Sequence, residues 1–364
     1  KCDNCSDTIL KKAFHSLQAL THPKSLVWDE ELMRNLSDIL NENNYNLETV
    51  MEMIGQNCKE LLVKCQWEFK VVNCMEIFME NYSKYGLCCT FYGTKRVRNE
   101  HTYTENYGTE GTLSVIINPM IEKNTYSMKP RSIKVLFHDS LSYPEFRALK
   151  KIITTGTQTH MQILGTRIMC SAEVAELAIE QRECVFPDEV HLKYFKTYSD
   201  ANCLIEREAD EFIRICGCVP FYFDFTGKRK CNIHQISCVI DNVLRNNTWQ
   251  EASDFCPASC EDFLYEVKTT HVKLEKGNFH HLVSDDELDK LEEHTTQLKI
   301  YFVEFQKVLR RDLMFSTISL IASFGGIYSL LMGCSFLTIC EIFYYLTLRL
   351  MVNRYIFMKQ KEPK

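Results

Sequence analysis

An almost uninterrupted apolar segment occupies residues 313–352, with the sequence LMFSTISLIASFGGIYSLLMGCSFLTICEIFYYLTLRLMV. Its acidic residue is Glu341, and its basic residue is Arg349 near the end. A membrane helix needs about 20 apolar residues, and a buried core helix of a soluble protein is seldom this long and apolar on every side. The segment therefore predicts a membrane-spanning helix, with a buried core helix as the alternative.

Small residues interrupt this segment twice, at Gly325-Gly326 and at Gly333-Cys334-Ser335. A break at membrane depth is tolerated where the backbone faces protein or a water-filled path. An unpaired carboxylate such as Glu341 is costly in a membrane and indicates a functional position. The pattern favours a pore-lining helix, and simple close packing of helices through Gly333 is the alternative.

The rest of the chain indicates an oxidising compartment. The chain has 364 residues, 18 of them cysteine, and so many cysteines favour disulfide bonds. Its net charge of −6 argues against nucleic acid as a partner. Basic residues after the segment favour a cytoplasmic tail at 353–364, so residues 1–312 are expected outside the plasma membrane. Four sequons agree and predict glycosylation at Asn4, Asn35, Asn81 and Asn246.

The outer part is predicted to be α+β. A helical pattern covers residues 9–65, and a short helix is predicted at 209–215. Residues 284–310 combine an acidic helical stretch with a strand at 298–305. The β-branched or alternating stretches 112–117, 133–137 and 160–168 predict further strands.

The sequence from Ser319 to Tyr345 resembles the second transmembrane helix of degenerin/epithelial sodium channels, in which a Gly-x-Ser filter precedes a glutamate. Here the resemblance makes Gly333, Cys334 and Ser335 the selectivity filter and Glu341 the pore acid. It also places the gate at Ala322.

Motifs of the outer part extend the resemblance, which is typical of pickpocket-type insect subunits. They are Cys65-Gln-Trp with Cys74, Gly86-Leu-Cys-Cys-Thr-Phe91, Leu113–Asn118, Arg182–Glu189 and Cys216–Phe221. The resemblance implies palm, finger and thumb regions around a β-sheet core with peripheral helices, with the thumb at about residues 184–275. It also implies that the chain lacks the family's N-terminal segment and first transmembrane helix.

The family resemblance implies a trimeric, sodium-selective, amiloride-sensitive channel, a homomer or heteromer with related subunits, gated by an unidentified extracellular ligand or force. The alternative is a non-conducting sensory or regulatory subunit that needs partner subunits. No cofactor is implied. A secreted enzyme is the least favoured class, because the sequence contains no nucleophile elbow, phosphate-binding loop or zinc-protease motif.

The resemblance also implies specific disulfides. Cys58 is expected to pair with Cys89, whereas Cys88 is expected to pair with Cys2 or Cys5, and Cys170 has no family counterpart. The pairs implied with most support are Cys184–Cys260, Cys203–Cys256, Cys216–Cys238, Cys218–Cys231 and Cys65–Cys74.

One expected thumb disulfide is missing, because Arg207 and Asp254 stand where the family carries cysteines. An ion pair between them is one interpretation, and two independent surface charges are the other. His280-His281 is interpreted as surface histidines, so no metal site is predicted. The acidic residues of 285–293 are interpreted as a solvated helix face, with a cation- or proton-sensing patch as the alternative.

Overall fold

The structure is a computed structural model that describes residues 30–91, 106–120, 132–139, 142–144, 148–240, 256–274, 294–304, 306–314, 316–333 and 335–360. The chain divides into two compact units. The first unit comprises Lys1–Met169 and Ala178–Arg310, and the second comprises Cys170–Leu177 and Arg311–Lys364. Each unit is described by itself below.

Short, well-capped helices begin the described part of the first unit. Asn46 accepts a hydrogen bond from the backbone N–H of Thr49 (2.7 Å), and Asn57 accepts one from that of Glu60 (2.8 Å). Each bond satisfies a donor that the first turn of a helix leaves unpaired. The helices of this unit are α1 (Glu30–Glu42), α2 (Leu47–Ile54), α3 (Cys58–Leu61), α4 (Cys74–Ile77), α6 (Ile179–Arg182), α7 (Asp200–Cys216) and α8 (Ile233–Cys238), and α5 (Ala172–Ala175) belongs to the second unit.

The strands form one large sheet and three small ones. Their bounds are β1 (Leu62–Trp67), β2 (Lys70–Val72), β3 (Phe78–Ser83), β4 (Gly86–Phe91), β5 (Leu113–Ile117), β6 (Ser132–Phe137), β7 (Leu149–Thr154), β8 (Thr157–Cys170), β9 (Cys184–Val185), β10 (Ala258–Ser259), β11 (Asp262–Lys273), β12 (Thr296–Phe302) and β13 (Lys307–Arg311).

The large sheet has the order β11-β8-β12-β5-β1-β2, and β13 also pairs with β8. Strand β8 is antiparallel to β11, from Thr157 opposite Lys273 to Ile168 opposite Asp262, and parallel to β12. Strand β5 lies between β12 and β1 and is buried at every position, as its β-branched sequence predicts. The small sheets are the pairs β3–β4, β6–β7 and β9–β10.

Two apolar cores stabilise the first unit. One lies under the large sheet and includes Cys58, Cys65 and Cys74. The other joins α1 and α2 to α7 and α8 around the consecutive aromatic residues Phe221, Tyr222 and Phe223. Side chains that are buried at this density resist truncation, because a removed ring leaves a cavity.

The predicted α+β class with a sheet core is confirmed, and the local errors are instructive. The helical prediction for 9–65 is wrong at its end, because β1 begins at Leu62 and pairs with β5. Sheet pairing there outweighs a weak local helical pattern. The helix predicted at 209–215 is the second half of α7, whereas residues 9–29 and 284–293 lie outside the described part.

The second unit consists mainly of the C-terminal helices. They are α9 (Thr317–Met332), α10 (Phe336–Phe343), a π-helical turn (Tyr344–Leu348) and α11 (Arg349–Gln360). The segment predicted as one transmembrane helix at 313–352 is therefore broken once. Beyond the break, helical structure continues past Val352 into the predicted tail, and Phe336–Met358 is long and apolar enough to span a membrane.

Candidate functional site

The break between α9 and α10 coincides with the predicted selectivity filter. Gly333 ends α9 in the left-handed conformation, with φ 63° and ψ 17°. Residues with a Cβ rarely adopt this conformation, which explains why glycine stands here. Ser335 is extended, with φ −105° and ψ 165°, and begins α10 as its N-cap. Cys334 lies outside the described residues.

Ser335 and Thr338 cap the start of α10 reciprocally. The Thr338 N–H donates to Ser335 Oγ (3.4 Å), and the Ser335 N–H donates to Thr338 Oγ1 (3.4 Å). The two hydroxyl oxygens are 3.2 Å apart. The arrangement is a capping box, which pairs two backbone donors that the helix itself leaves unpaired.

The predicted pore acid, Glu341, lies on α10 below this cap. It follows Thr338 by three residues, so both occupy one side of the helix. The π-helical turn begins shortly afterwards, and the Thr347 hydroxyl donates to the Phe343 carbonyl (2.5 Å).

The predicted gate residue, Ala322, lies on α9 and is exposed within the chain. Near it, Gly325 and Gly326 have no described atom within 4 Å of an added Cβ. Side chains at these three positions are small or absent, so another helix can approach α9 closely along them.

These helices bury almost nothing against their own chain. Leu330 is 86 % exposed and Phe336 is 79 % exposed, and no residue of the membrane-length helix Phe336–Met358 is buried. Apolar helices that are bare on all sides require lipid or other protein chains to cover them. The alternative of a buried core helix is therefore not met in the described residues.

In the first unit, the structure contains the disulfides that the family resemblance implies. Cys184–Cys260, Cys203–Cys256, Cys216–Cys238 and Cys218–Cys231 link the thumb, and Cys65–Cys74 links β1 to α4. Cys58 and Cys89 are also bonded.

Cys88 is a thiol whose Sγ lies 3.1 Å from Ser83 Oγ, and burial raises its pKa. The residues expected to pair with it, Cys2 and Cys5, lie outside the described part.

Other predicted positions are placed separately. Arg207 lies on α7, but Asp254 is outside the described residues, so the ion pair stays a prediction. Asn35 is exposed on α1, and Asn81 is half-buried on β3. Asn4, Asn246, His280 and the acidic residues of 285–293 lie outside the described part.

Sequence reasoning missed a buried ion pair between the β3–β4 turn and the thumb. Lys84 Nζ lies 2.5 Å from Glu208 Oε2, and the Glu208 side chain is only 3 % exposed. Its second oxygen is buried without a hydrogen-bond partner among the described residues. Glu208 follows Arg207 in an α7 sequence rich in charge, so no sequence signal separates it from the exposed charges. Removing one member of such a pair is strongly destabilising.

A second polar link joins α2 to the thumb. Lys230 contacts Glu48 of α2 and lies 2.9 Å from Asp224 Oδ1. Desolvation lowers the pKa of Lys230, but the bonds to the two carboxylates outweigh it and raise the pKa above its ordinary value. Lys230 therefore stays charged and holds α2 against the thumb.

A buried tyrosine supplies the third link. Tyr143 Oη lies 2.5 Å from the carbonyl oxygen of Tyr222 and 3.0 Å from that of Tyr82. Its O–H therefore donates a hydrogen bond that these two carbonyl oxygens share. Burial raises the pKa of Tyr143 well above its ordinary value, which keeps the hydroxyl protonated. The β3 strand, the loop containing Tyr143 and the thumb core are thereby joined.

Comparison with known proteins agrees with these features. A sequence model of the amiloride-sensitive sodium channel family matches residues 4–345. The chain is 27 % identical over 353 residues to the sodium channel protein Nach of Drosophila melanogaster, covering 90 % of this chain and 65 % of that protein.

More distant relatives include Pickpocket protein 11 of Drosophila melanogaster, with 23 % identity covering 86 % of this chain and 60 % of that protein. The bile acid-sensitive ion channel of Mus musculus is 21 % identical, with 85 % and 63 % covered. The chain thus spans about two thirds or less of the length of these relatives. Because the family match extends over nearly the whole chain, the chain belongs to the amiloride-sensitive sodium channel family, the degenerin/epithelial sodium channels that its motifs resemble.

Proposed function

We propose that this chain is a subunit of a trimeric, sodium-selective and amiloride-sensitive channel of the plasma membrane that an extracellular chemical or mechanical stimulus opens. The observation that carries the proposal is the helix break at Gly333–Ser335, set in apolar helices that their own chain leaves bare. In this proposal the break lies at membrane depth, where exposed backbone polar groups are tolerated if they line a water-filled path.

Three copies around one axis would give this geometry its function. Glycine at the break lets the helices approach closely, and polar groups there replace part of the hydration shell of Na⁺. A ring of Glu341 carboxylates on the cytoplasmic side attracts cations and repels anions. Ala322 on α9 would form the gate, because a larger side chain there prevents the helices from closing. The partners are other subunits of this family and the lipid bilayer.

The first unit would receive the stimulus outside the cell. Helices α1 and α2, which are the finger helices in this proposal, share one apolar core with the thumb and are joined to it by Lys230–Glu48. Lys84–Glu208 joins the β3–β4 turn to the thumb. Such a core transmits a displacement as a rigid body. In this proposal the predicted glycans at Asn4, Asn35, Asn81 and Asn246 lie on the same extracellular side.

The test is whole-cell current from the full-length subunit, expressed alone and with related subunits, with Na⁺ replaced and amiloride applied. We expect an inward current that disappears when Na⁺ is replaced and also when amiloride is applied. Surface expression without current in any combination would contradict conduction and favour the non-conducting regulatory alternative.

Substitution of the proposed gate residue gives a matched experiment. Ala322→Val is expected to raise the resting amiloride-sensitive current severalfold, because added bulk opposes close helix approach. Ala172→Val, outside the C-terminal helices, is the control with the same change in volume. Unchanged resting current in the Ala322 variant, at equal surface level, would remove the gate assignment.

A further inference from the structure

The capping box at the start of α10 differs from its usual composition. In the common form a Ser or Thr N-cap is paired with Glu or Gln at the third helical position. Here the third position is Thr338, whose hydroxyl takes the reciprocal role toward the Ser335 N–H. Thr338 is half-buried, whereas its neighbours on α10 are exposed.

We propose that Thr338 is a positioning residue of the selectivity filter, which holds Ser335 in its N-cap conformation and so fixes the backbone where α10 begins. This inference rests on the proposed function as a sodium-selective channel. Thr338 does not contact the ion; it acts through Ser335. Glu341 follows Thr338 by three residues on the same helix, so a fixed Ser335 also fixes the position of the filter relative to Glu341.

A neutral hydroxyl suits this position better than the usual carboxylate. The backbone N–H groups of Ser335 and Thr338 have no partner within the first turn of α10, and the two hydroxyls supply their acceptors. Glutamate at the third position would satisfy the same donor but would add a charge at the filter, with a high cost in a membrane.

The cap also restricts which groups are able to meet the ion. Ser335 Oγ accepts from Thr338 N–H and lies 3.2 Å from Thr338 Oγ1. A hydroxyl engaged in this way is less available as an ion ligand, so backbone carbonyl groups are favoured for that role. Loss of the Thr338 hydroxyl leaves the bond from the residue 338 N–H to Ser335 Oγ but removes the acceptor of the Ser335 N–H. The Ser335 backbone is then held less firmly, and the spacing that separates Na⁺ from K⁺ loosens.

The experiment measures the Na⁺/K⁺ permeability ratio from bi-ionic reversal potentials of the full-length subunit, with surface protein quantified in parallel. Thr338→Val keeps the shape and removes the hydroxyl, and Thr338→Ser keeps the hydroxyl. Thr347→Val is the matched control: Thr347 is half-buried on the same continuous helix, and its hydroxyl also bonds to the backbone.

Thr338→Val is expected to lower the permeability ratio on the order of twofold or more, the factor that the loss of one hydrogen bond is worth. Thr338→Ser and Thr347→Val are expected to keep the wild-type ratio. The ratio does not depend on the number of channels, so reduced folding alone would not move it. If Thr338→Val does not reach the surface alone, channels assembled from wild-type and variant subunits supply the ratio.

An unchanged ratio in Thr338→Val beside a selective wild type overturns the positioning role and leaves the proposed function intact. An equal fall in Thr347→Val overturns it as well, because the effect would then belong to the helix in general. A wild type that carries no sodium-selective current, alone or with related subunits, overturns the proposed function and this inference together.

Discussion

The disulfide-bonded first unit and the C-terminal helices of the second unit treat their apolar side chains in opposite ways. In the first unit Phe212 is 0 % exposed and packs against Phe223, with ring centroids 5.5 Å apart. On α10, Phe336 is 79 % exposed. The first unit therefore supplies its own core, whereas the helices depend on lipid or neighbouring subunits for theirs.

The same substitution in both regions tests this contrast with the largest expected effect. Phe212→Ala should destabilise the first unit by about 3–5 kcal/mol, because it leaves a cavity in a closed core. Most of the protein should then fail to reach the cell surface, as measured by surface biotinylation of the full-length subunit. Phe336→Ala removes the same atoms from an exposed site and should leave surface delivery near the wild-type level.

Equal losses of surface protein in the two variants would contradict the contrast, since α10 would then rely on packing within its own chain. Normal delivery of Phe212→Ala would show that the finger and thumb core tolerates a cavity, against its burial in the structure.

Cysteines give the second comparison between the regions. Replacing Cys216 and Cys238 together by serine removes a thumb disulfide and should cost about 2–4 kcal/mol, chiefly by enlarging the unfolded ensemble. Surface protein should fall, and more steeply at raised culture temperature. Cys340→Ser changes an exposed thiol on α10 and should not reproduce that temperature dependence.

A thumb variant that is delivered as well as the wild type at every temperature would show that the remaining bonds suffice. The bond between Cys218 and Cys231 lies in the same part of the thumb. Its additional removal would show whether it had replaced the stabilising effect of Cys216–Cys238 or whether neither bond is needed for delivery.

Two glycines of the second unit give the third comparison. Placing a Cβ in the left-handed conformation of Gly333 costs about 1–2 kcal/mol. Gly333→Ala should therefore distort the break and lower the Na⁺/K⁺ permeability ratio. Gly326→Ala places the same methyl group within the α9 helix, where the conformation accepts it. That variant should keep the ratio, even if its current amplitude changes.

If both glycine variants lower the ratio equally, helix approach rather than the backbone conformation of Gly333 sets selectivity. If neither does, the break is not the filter.

The sequence predicted most of this contrast, because each region carries a signal that is local. Small residues within a long apolar stretch predicted the helix break and the membrane-length helix, whereas the thumb disulfides were implied by the family resemblance and not by cysteine spacing. The strand at Leu62 was missed because its pairing with β5 depends on residues about fifty positions away. The Lys84–Glu208 pair was missed for the same reason, since burial of a charge is decided by tertiary packing.

The Ser335–Thr338 cap lies between these cases. A serine two residues after a glycine and three residues before a threonine is a visible local pattern. It becomes meaningful only when the helix is known to restart at Phe336, because the same residues inside a continuous helix would cap nothing.

The smallest expected effect concerns pH and the first unit. His160 lies on β8, and Gln158 Nε2 is 3.0 Å from its Nε2. Burial, together with the charge of Lys299, lowers the pKa of His160 below its ordinary value of 6.5. The unfolded chain therefore takes up the proton before the folded one does, and the stability present at neutral pH is lost as the pH falls through this range.

His160→Gln, which cannot take up the proton, should reduce the acid-induced loss of folded surface protein between pH 7 and pH 5.5, measured by protease resistance at the cell surface. His191→Gln changes an exposed histidine and should follow the wild type. A larger acid sensitivity in His160→Gln would mean that the folded protein prefers the charged ring, which reverses the sign argued from its burial.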